Sequence, residues 1–134
     1  MKVFISHASE DKELATRLSR FLRDEGLEVW SDEDIMPGDN WAQKVSQALK
    51  ESEAMVVLVS SAALESDWVR REIEFALGTE GYKERLIPVF VGSRDTIPQD
   101  RIPWILRHLN GVELTDPTKV ENFQKIVHTL STIN

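Results

Sequence analysis

Hydrophobic and polar positions along this chain form two alternating patterns. Short apolar runs rich in β-branched residues predict strands, and apolar side chains that recur every three or four positions predict helices. The predicted strands are Lys2–Ile5, Leu27–Ser31, Ala54–Val59, Arg85–Val91 and Val112–Leu114. Helical spacing is found in Asp11–Asp24, from Trp41, over Val69–Leu77, briefly near Trp104–Leu109, and from Val120 onward.

Strands and helices that alternate with short connections predict an α/β fold. Right-handed crossovers then place helices on both faces of a parallel sheet. We therefore expect a flavodoxin-like three-layer sandwich, with a five-stranded parallel sheet in the order 2-1-3-4-5. All 134 residues are expected to form one domain.

Several residues carry signals for the ends of these elements. Ser9 is expected to cap the first helix and Gly26 to end it. Ser66 with Asp67 reads as another helix start, and Thr118 with Glu121 has capping-box spacing. Pro88 has no amide hydrogen for a sheet ladder, so that end of the sheet is expected to be an edge or to begin late.

Composition excludes several classes of protein. The chain has no cysteine, which rules out disulfides, thiolate zinc sites and a cysteine nucleophile. Its 16 basic and 23 acidic residues give a net charge of −7, so neither nucleic acid nor a membrane surface is an expected partner. No apolar run is long enough to span a bilayer and no signal peptide is evident, so a cytoplasmic location is expected.

A ligand site is expected at the carboxyl ends of strands one and three, where the sheet order reverses. Familiar phosphate and nucleophile motifs are missing there, since the sequence contains no GxGxxG, GxxxxGK[ST] or GxSxG. The three histidines lack metal-ligand spacing. We therefore expect no metal and no bound cofactor.

Glu72 is the most informative polar residue of the chain. It lies four residues after Trp68, so a helix places it at the border of the buried stripe beside that indole. One interpretation is a partly exposed glutamate paired with an arginine such as Arg71 or Arg101. The other is a carboxylate held beside an aromatic wall in the expected cleft.

The other candidate residues also have two interpretations each. Ser6 either satisfies backbone groups at the strand end or lines the site, and His7 lies either on the surface or in the site. Trp41 is either a core residue or an exposed aromatic flap. Asp32 belongs to an acidic loop, Asp32–Asn40, which is either merely solvated or functional.

Three sequence boxes resemble those of a TIR (Toll/interleukin-1 receptor) domain, in order along essentially the whole chain. They are Val3-Phe4-Ile5-Ser6-His7 with Glu10-Asp11, Val29-Trp30-Ser31-Asp32 leading to Pro37-Gly38, and Ser66-Asp67-Trp68-Val69-Arg70-Arg71-Glu72-Ile73. The Trp-x-x-x-Glu pattern is similar to that of bacterial members that cleave NAD⁺ between nicotinamide and ribose.

The resemblance implies a role for each matching residue. Glu72 matches the catalytic glutamate and Trp68 its flanking aromatic residue, while Ser6 and His7 match the end of strand one that lines the nucleotide pocket. The Asp32–Asn40 segment matches the BB loop, through which such domains associate with themselves or with other TIR domains. Ala8 stands where several enzymatic relatives carry arginine, so the resemblance leaves the phosphate contacts to His7, Arg70 or a neighbouring subunit.

The resemblance thus predicts an NAD⁺ glycohydrolase or cyclase in bacterial immune signalling, with NAD⁺ as substrate and activity dependent on assembly. Sequence leaves open whether the product is ADP-ribose, a cyclic isomer or an adduct. One alternative is a non-enzymatic module that scaffolds assembly through its BB loop. Another is a different nucleoside-processing enzyme on the same fold.

Overall fold

The strands that the structure describes form one parallel sheet. A computed structural model describes residues 1–31, 40–79, 81–92, 97, 99–109, 111–116 and 118–133. Its strands are β1 (Lys2–Ser6), β2 (Glu28–Ser31), β3 (Ala54–Val59), β4 (Leu86–Val91) and β5 (Val112–Leu114). Their order in the described part of the chain is β2-β1-β3-β4-β5, with every neighbouring pair parallel. The predicted fold class is therefore confirmed.

Helices connect the strands, as the alternating pattern predicts. They are α1 (Lys12–Asp24), α2 (Trp41–Glu51), α3 (Ser61–Glu65), α4 (Asp67–Leu77), α5 (Trp104–Arg107) and α6 (Val120–Ser131). The α3 helix was not predicted. Ser66 separates it from α4, because its backbone is extended (φ −88°, ψ 117°) and its side chain accepts a hydrogen bond from the Val69 amide. Ser66 is thus a helix N-cap, as predicted.

Two hydrophobic cores lie on opposite faces of the sheet. One packs α2, α4 and α5 against strand residues that include Phe4, Met55 and Phe90. The other packs α1 and α6 against strand residues that include Ile5, Val56 and Val89. Alternate residues of a strand point to opposite faces, so this division follows directly from the odd and even positions of each strand. All six residues of β3 are buried, as expected for a central parallel strand.

Two of the predicted helix caps are wrong. Ser9 begins a 3-10 turn, Ser9–Asp11, and its hydroxyl donates to the Glu10 carboxylate instead of accepting from a helix amide. Thr118 forms no capping box, because its hydroxyl and amide both bind the Asp116 carboxylate, which lowers the Asp116 pKa. In both cases a nearby side chain competes with the helix for the hydroxyl.

Gly26 ends α1 as predicted. Its φ of 91° lies in the left-handed region, and the Leu27 amide donates back to the Leu22 carbonyl oxygen. This is the arrangement by which a glycine closes a helix at low cost in strain.

Pro88 lies inside β4, which is not an edge strand, since β3 and β5 flank it. The pairing with β5 starts only at Val89, one residue beyond the proline, so the missing amide hydrogen interrupts no ladder on that side. The neighbouring strand, β5, therefore begins late, which is one of the two outcomes that the sequence predicted. Gly111 lies close to the backbone of Pro88, because a Cβ on residue 111 would lie 2.8 Å from the Pro88 carbonyl oxygen.

Among the described residues, no helix combines the length and the apolar character that a membrane crossing requires.

Tyr82 is buried near the start of β3, where its hydroxyl donates to the Ser52 carbonyl oxygen over 3.3 Å. Burial raises the pKa of Tyr82 from 10.0 to about 12, and Arg85 opposes this in part. The pKa of Tyr82 is higher in the folded than in the unfolded protein, so the buried neutral hydroxyl makes its full contribution to stability below pH 10. This contribution is lost as the pH rises through 12.

Because Tyr82 is the one tyrosine of the chain, phenolate absorbance reports its titration directly. We expect a midpoint near pH 12 in the native protein and near the ordinary value of 10.0 in urea. Tyr82→Phe should remove the absorbance change and the associated loss of stability. A native midpoint at the ordinary value, with the circular dichroism of the fold retained, would contradict the assigned burial effect.

Candidate active site

The site begins at the carboxyl end of β1. Phe4 and Ser6 lie two residues apart on this strand, so their side chains point to the same face of the sheet. Phe4 packs in the core beneath α2 and α4. The Ser6 hydroxyl is therefore directed at the helices of that face, and it has no solvent exposure.

Helix α4 brings a carboxyl group to meet this hydroxyl. Its buried side consists of Val69, Glu72, Ile73 and Ala76, so Glu72 lies within the apolar stripe. The exposure of Glu72 is 0%. The helix begins at a capped residue, which sets the rotational phase that turns Glu72 inward.

A short hydrogen bond joins the two residues. The Ser6 hydroxyl donates to Oε1 of Glu72 over 2.6 Å, between positions 66 residues apart in the chain. Removing a carboxyl group from water is strongly unfavourable unless hydrogen bonds replace its hydration, so this donor compensates part of the cost. The contact places the carboxyl group at the carboxyl end of β1, next to β3, where the sheet order predicts a ligand crevice.

The interpretation of Glu72 as a partly exposed side chain is wrong. The side chain is fully buried, and the Arg101 guanidinium binds Glu65 over 2.6 Å. The helical pattern placed Glu72 at the border of the stripe, and the structure places it inside.

His7 also lies inside the protein, so the surface interpretation is wrong for it too. Only 6% of the residue is exposed, and Nδ1 lies 2.8 Å from the Ala8 carbonyl oxygen. A carbonyl oxygen can only accept a hydrogen bond, so Nδ1 carries the hydrogen. Nε2 is buried and makes no hydrogen bond to any residue that the structure describes.

A second polar contact on this rim was missed by sequence reasoning. The Ser60 hydroxyl donates to Oδ2 of Asp11 over 2.5 Å and accepts from the Ala63 amide over 3.0 Å. It thereby ties the start of α1 to the start of α3, just after β1 and β3 end. The available signal was Ser60 itself, a polar residue that directly follows a fully buried strand.

Of the remaining predicted residues, the structure describes Trp68 and Arg70. Trp68 lies one helical turn before Glu72 and is 36% exposed, so part of its indole is available to a ligand. Arg70 points away toward Asp67 and the Leu64 carbonyl oxygen, both at 3.4–3.5 Å. Asp32 and the rest of 32–39 lie outside the described residues, as does the side chain of Trp41.

The arrangement is suited to stabilising positive charge. A carboxylate fixed in a low-dielectric site stabilises a developing cation far better than one in water does. Within the described part of the chain, no group of three or more histidine, aspartate or glutamate side chains could hold a metal ion.

The chain is similar to a known family over most of its length. A family model described as "TIR domain" matches residues 3–127. Of curated proteins, a 2' cyclic ADP-D-ribose synthase, AbTIR, from Acinetobacter baumannii is 30% identical over 98% of this chain and 48% of its own. An NAD(+) hydrolase, TcpA, from a Theionarchaea archaeon is 37% identical over 67% of this chain and 28% of its own. The chain thus spans half or less of these relatives.

Solved structures agree with the fold. A metazoan TIR-STING receptor from C. gigas aligns with a TM-score of 0.81 at 26% identity, over 97% of this chain and 39% of that one. The TIR domain of a Toll-related receptor from Hydra magnipapillata aligns with a TM-score of 0.73 at 20% identity, over 94% of both chains. The second likeness shows the fold alone.

The Ser6–Glu72 hydrogen bond should contribute measurably to stability. We expect Ser6→Ala to lower the free energy of unfolding by about 1–3 kcal/mol, because a buried carboxyl group loses a donor. Urea denaturation measures the change. Ser9→Ala is the matched control, since its hydroxyl binds an exposed glutamate, and it should change stability by less than about 0.5 kcal/mol. Equal effects of the two substitutions would show that the buried contact contributes nothing.

Proposed function

The chain belongs to the TIR domain family, and from this premise we propose that it cleaves NAD⁺ between nicotinamide and ribose. The observation that carries the proposal is the buried Glu72 carboxyl group, held by Ser6 at the end of β1. Two relatives support the substrate, since one is named a 2' cyclic ADP-D-ribose synthase and the other an NAD(+) hydrolase.

The proposed reaction suits a site with one buried carboxylate. The bond between the nicotinamide nitrogen and ribose C1 breaks, and its electron pair leaves with nicotinamide, which becomes neutral. No acid is needed to protonate this leaving group, whereas ordinary glycosidases use a second carboxyl group for that purpose. The positive charge moves to the ribose, where Glu72 stabilises it.

The other site residues bind and position the substrate in this proposal. Ser6 is a positioning residue, because its hydroxyl fixes one carboxylate oxygen of Glu72. Trp68 offers a partly exposed indole face one turn away, on which a ring of the substrate stacks. His7 and Asp32 complete the binding surface by their match to the family boxes, and Trp41 by its position just after the Asp32–Asn40 loop.

We propose further that assembly activates the site, through residues 32–40 of the BB loop and other TIR domains. The supporting observation is that Glu72 has no exposed surface. Substrate therefore reaches the carboxylate only after neighbouring groups move, and contact with a second subunit supplies energy for that movement. A role in bacterial immune signalling and a cytoplasmic location, where NAD⁺ is found, belong to the same proposal.

The direct test is NAD⁺ cleavage by wild type and Glu72→Gln. Glutamine keeps the shape and an acceptor for Ser6 but removes the negative charge, so nicotinamide release should fall at least about 100-fold. Glu74→Gln is the matched control, since it removes an exposed carboxylate from the same helix, and it should retain wild-type activity. Equal activity of wild type and Glu72→Gln would remove Glu72 from the mechanism.

Chromatography of the products identifies ADP-ribose, a cyclic isomer or an adduct.

Activation by assembly predicts that the activity per subunit depends on protein concentration. Nicotinamide release per subunit should rise as the protein is concentrated, in step with the average mass measured by light scattering. Trp41→Ala should weaken both the association and the rise in activity. A constant rate per subunit would contradict activation by assembly. A protein that associates but leaves NAD⁺ intact at every concentration would instead be the scaffold alternative.

A further inference from the structure

The imidazole of His7 is held in one tautomer by the backbone carbonyl group of the next residue. Nδ1 donates to the Ala8 carbonyl oxygen over 2.8 Å, and this oxygen also accepts from the Asp11 amide at 3.0 Å. With the hydrogen on Nδ1, the neutral ring carries its basic lone pair on Nε2. The 3-10 turn after β1 therefore determines which nitrogen is the base.

That lone pair is left unused within the described structure. Nε2 is buried, His7 is 94% inside the protein, and no described residue donates to it. A buried acceptor without a partner opposes folding, so most buried polar atoms in native proteins are hydrogen-bonded. Nε2 of His7 is therefore suited to accept a hydrogen bond from a group of the substrate.

The position of His7 in the fold supplies the context. It directly follows Ser6, which holds Glu72, and it lies at the carboxyl end of β1 beside β3. The chain leaves β1 toward α1 on one face of the sheet and leaves β3 toward α4 on the other. In sheets of this kind, ligands bind where the chain diverges in this way.

The proposed cleavage leaves one task that Glu72 does not perform. After nicotinamide has departed, an oxygen nucleophile adds to the ribose cation, and this oxygen must lose its proton. Glu72 stabilises the cation and already accepts a hydrogen bond from Ser6. A separate proton acceptor would leave Glu72 with the single task of stabilising the cation.

We propose that Nε2 of His7 is the general base for this second step, an inference that rests on the proposed function. The oxygen of water, or of a hydroxyl on the same substrate, forms a bond to ribose C1, and its proton passes to Nε2. The imidazolium then releases the proton to solvent. Water yields ADP-ribose and a substrate hydroxyl yields a cyclic product, with nicotinamide and one proton released in either case.

Isotopically labelled nicotinamide separates the two steps. If the cation is recaptured by nicotinamide, NAD⁺ is re-formed with the label, and this exchange requires bond cleavage but no proton removal. Product formation requires both. A residue needed only for the second step therefore affects product formation and spares exchange, whereas misfolding or loss of binding reduces both equally.

Two isosteres of histidine make the test specific. Asparagine keeps a donor near the Nδ1 position and removes Nε2, while glutamine places an amide oxygen near Nε2 that accepts a hydrogen bond but is not basic. We expect both variants to form product at least about 100-fold more slowly while label exchange continues, so the exchange-to-product ratio rises. His128→Asn, on α6, is the control and should behave as wild type.

Each result decides between the proposals. Restored product formation in His7→Gln would overturn the general base, because it would show that only a hydrogen-bond acceptor is needed. The general base would also be overturned if a variant with native circular dichroism lost label exchange and product formation in parallel, or if neither rate changed. A wild type that neither releases nicotinamide nor exchanges label would refute the proposed function itself.

Discussion

The candidate site of this molecule depends on one hydrogen bond, from the Ser6 hydroxyl to the fully buried carboxyl group of Glu72. A carboxyl group in an apolar interior is tolerated only when polar partners replace its lost hydration. The register of β1 and the rotational phase of α4 must therefore agree. Ser6 has to face the helix layer, and Glu72 has to face the sheet.

The same constraint connects stability with chemistry. A carboxylate kept out of water is poorly solvated and stabilises a nearby cation strongly, so the feature that opposes folding also suits the proposed cleavage. The rest of the fold compensates through two apolar cores and a fully buried central strand. The rim is tied together by a second polar contact, between Ser60 and Asp11.

Much of the candidate site was predictable from the pattern of residues. The four-residue interval between Trp68 and Glu72 indicated a carboxylate near a buried helix face, and the strand order indicated where that face would meet β1. Local competition between side chains was less predictable. Ser9 and Thr118 both match helix-cap signals, yet each hydroxyl binds a neighbouring carboxylate instead.

The sequence by itself determined the strands, all of the described helices except α3 and the two faces of the sheet, because hydrophobic periodicity directly encodes which residues point inward. The alternation of strands and helices indicated the parallel order. Tertiary structure alone decided which inward polar atoms meet: Ser6 with Glu72, Ser60 with Asp11, and Nδ1 of His7 with its neighbouring carbonyl oxygen. These contacts need distances near 3 Å and defined angles. Such precision arises from the packing of the whole core, whereas hydrophobic periodicity along the chain specifies only the direction in which each side chain points.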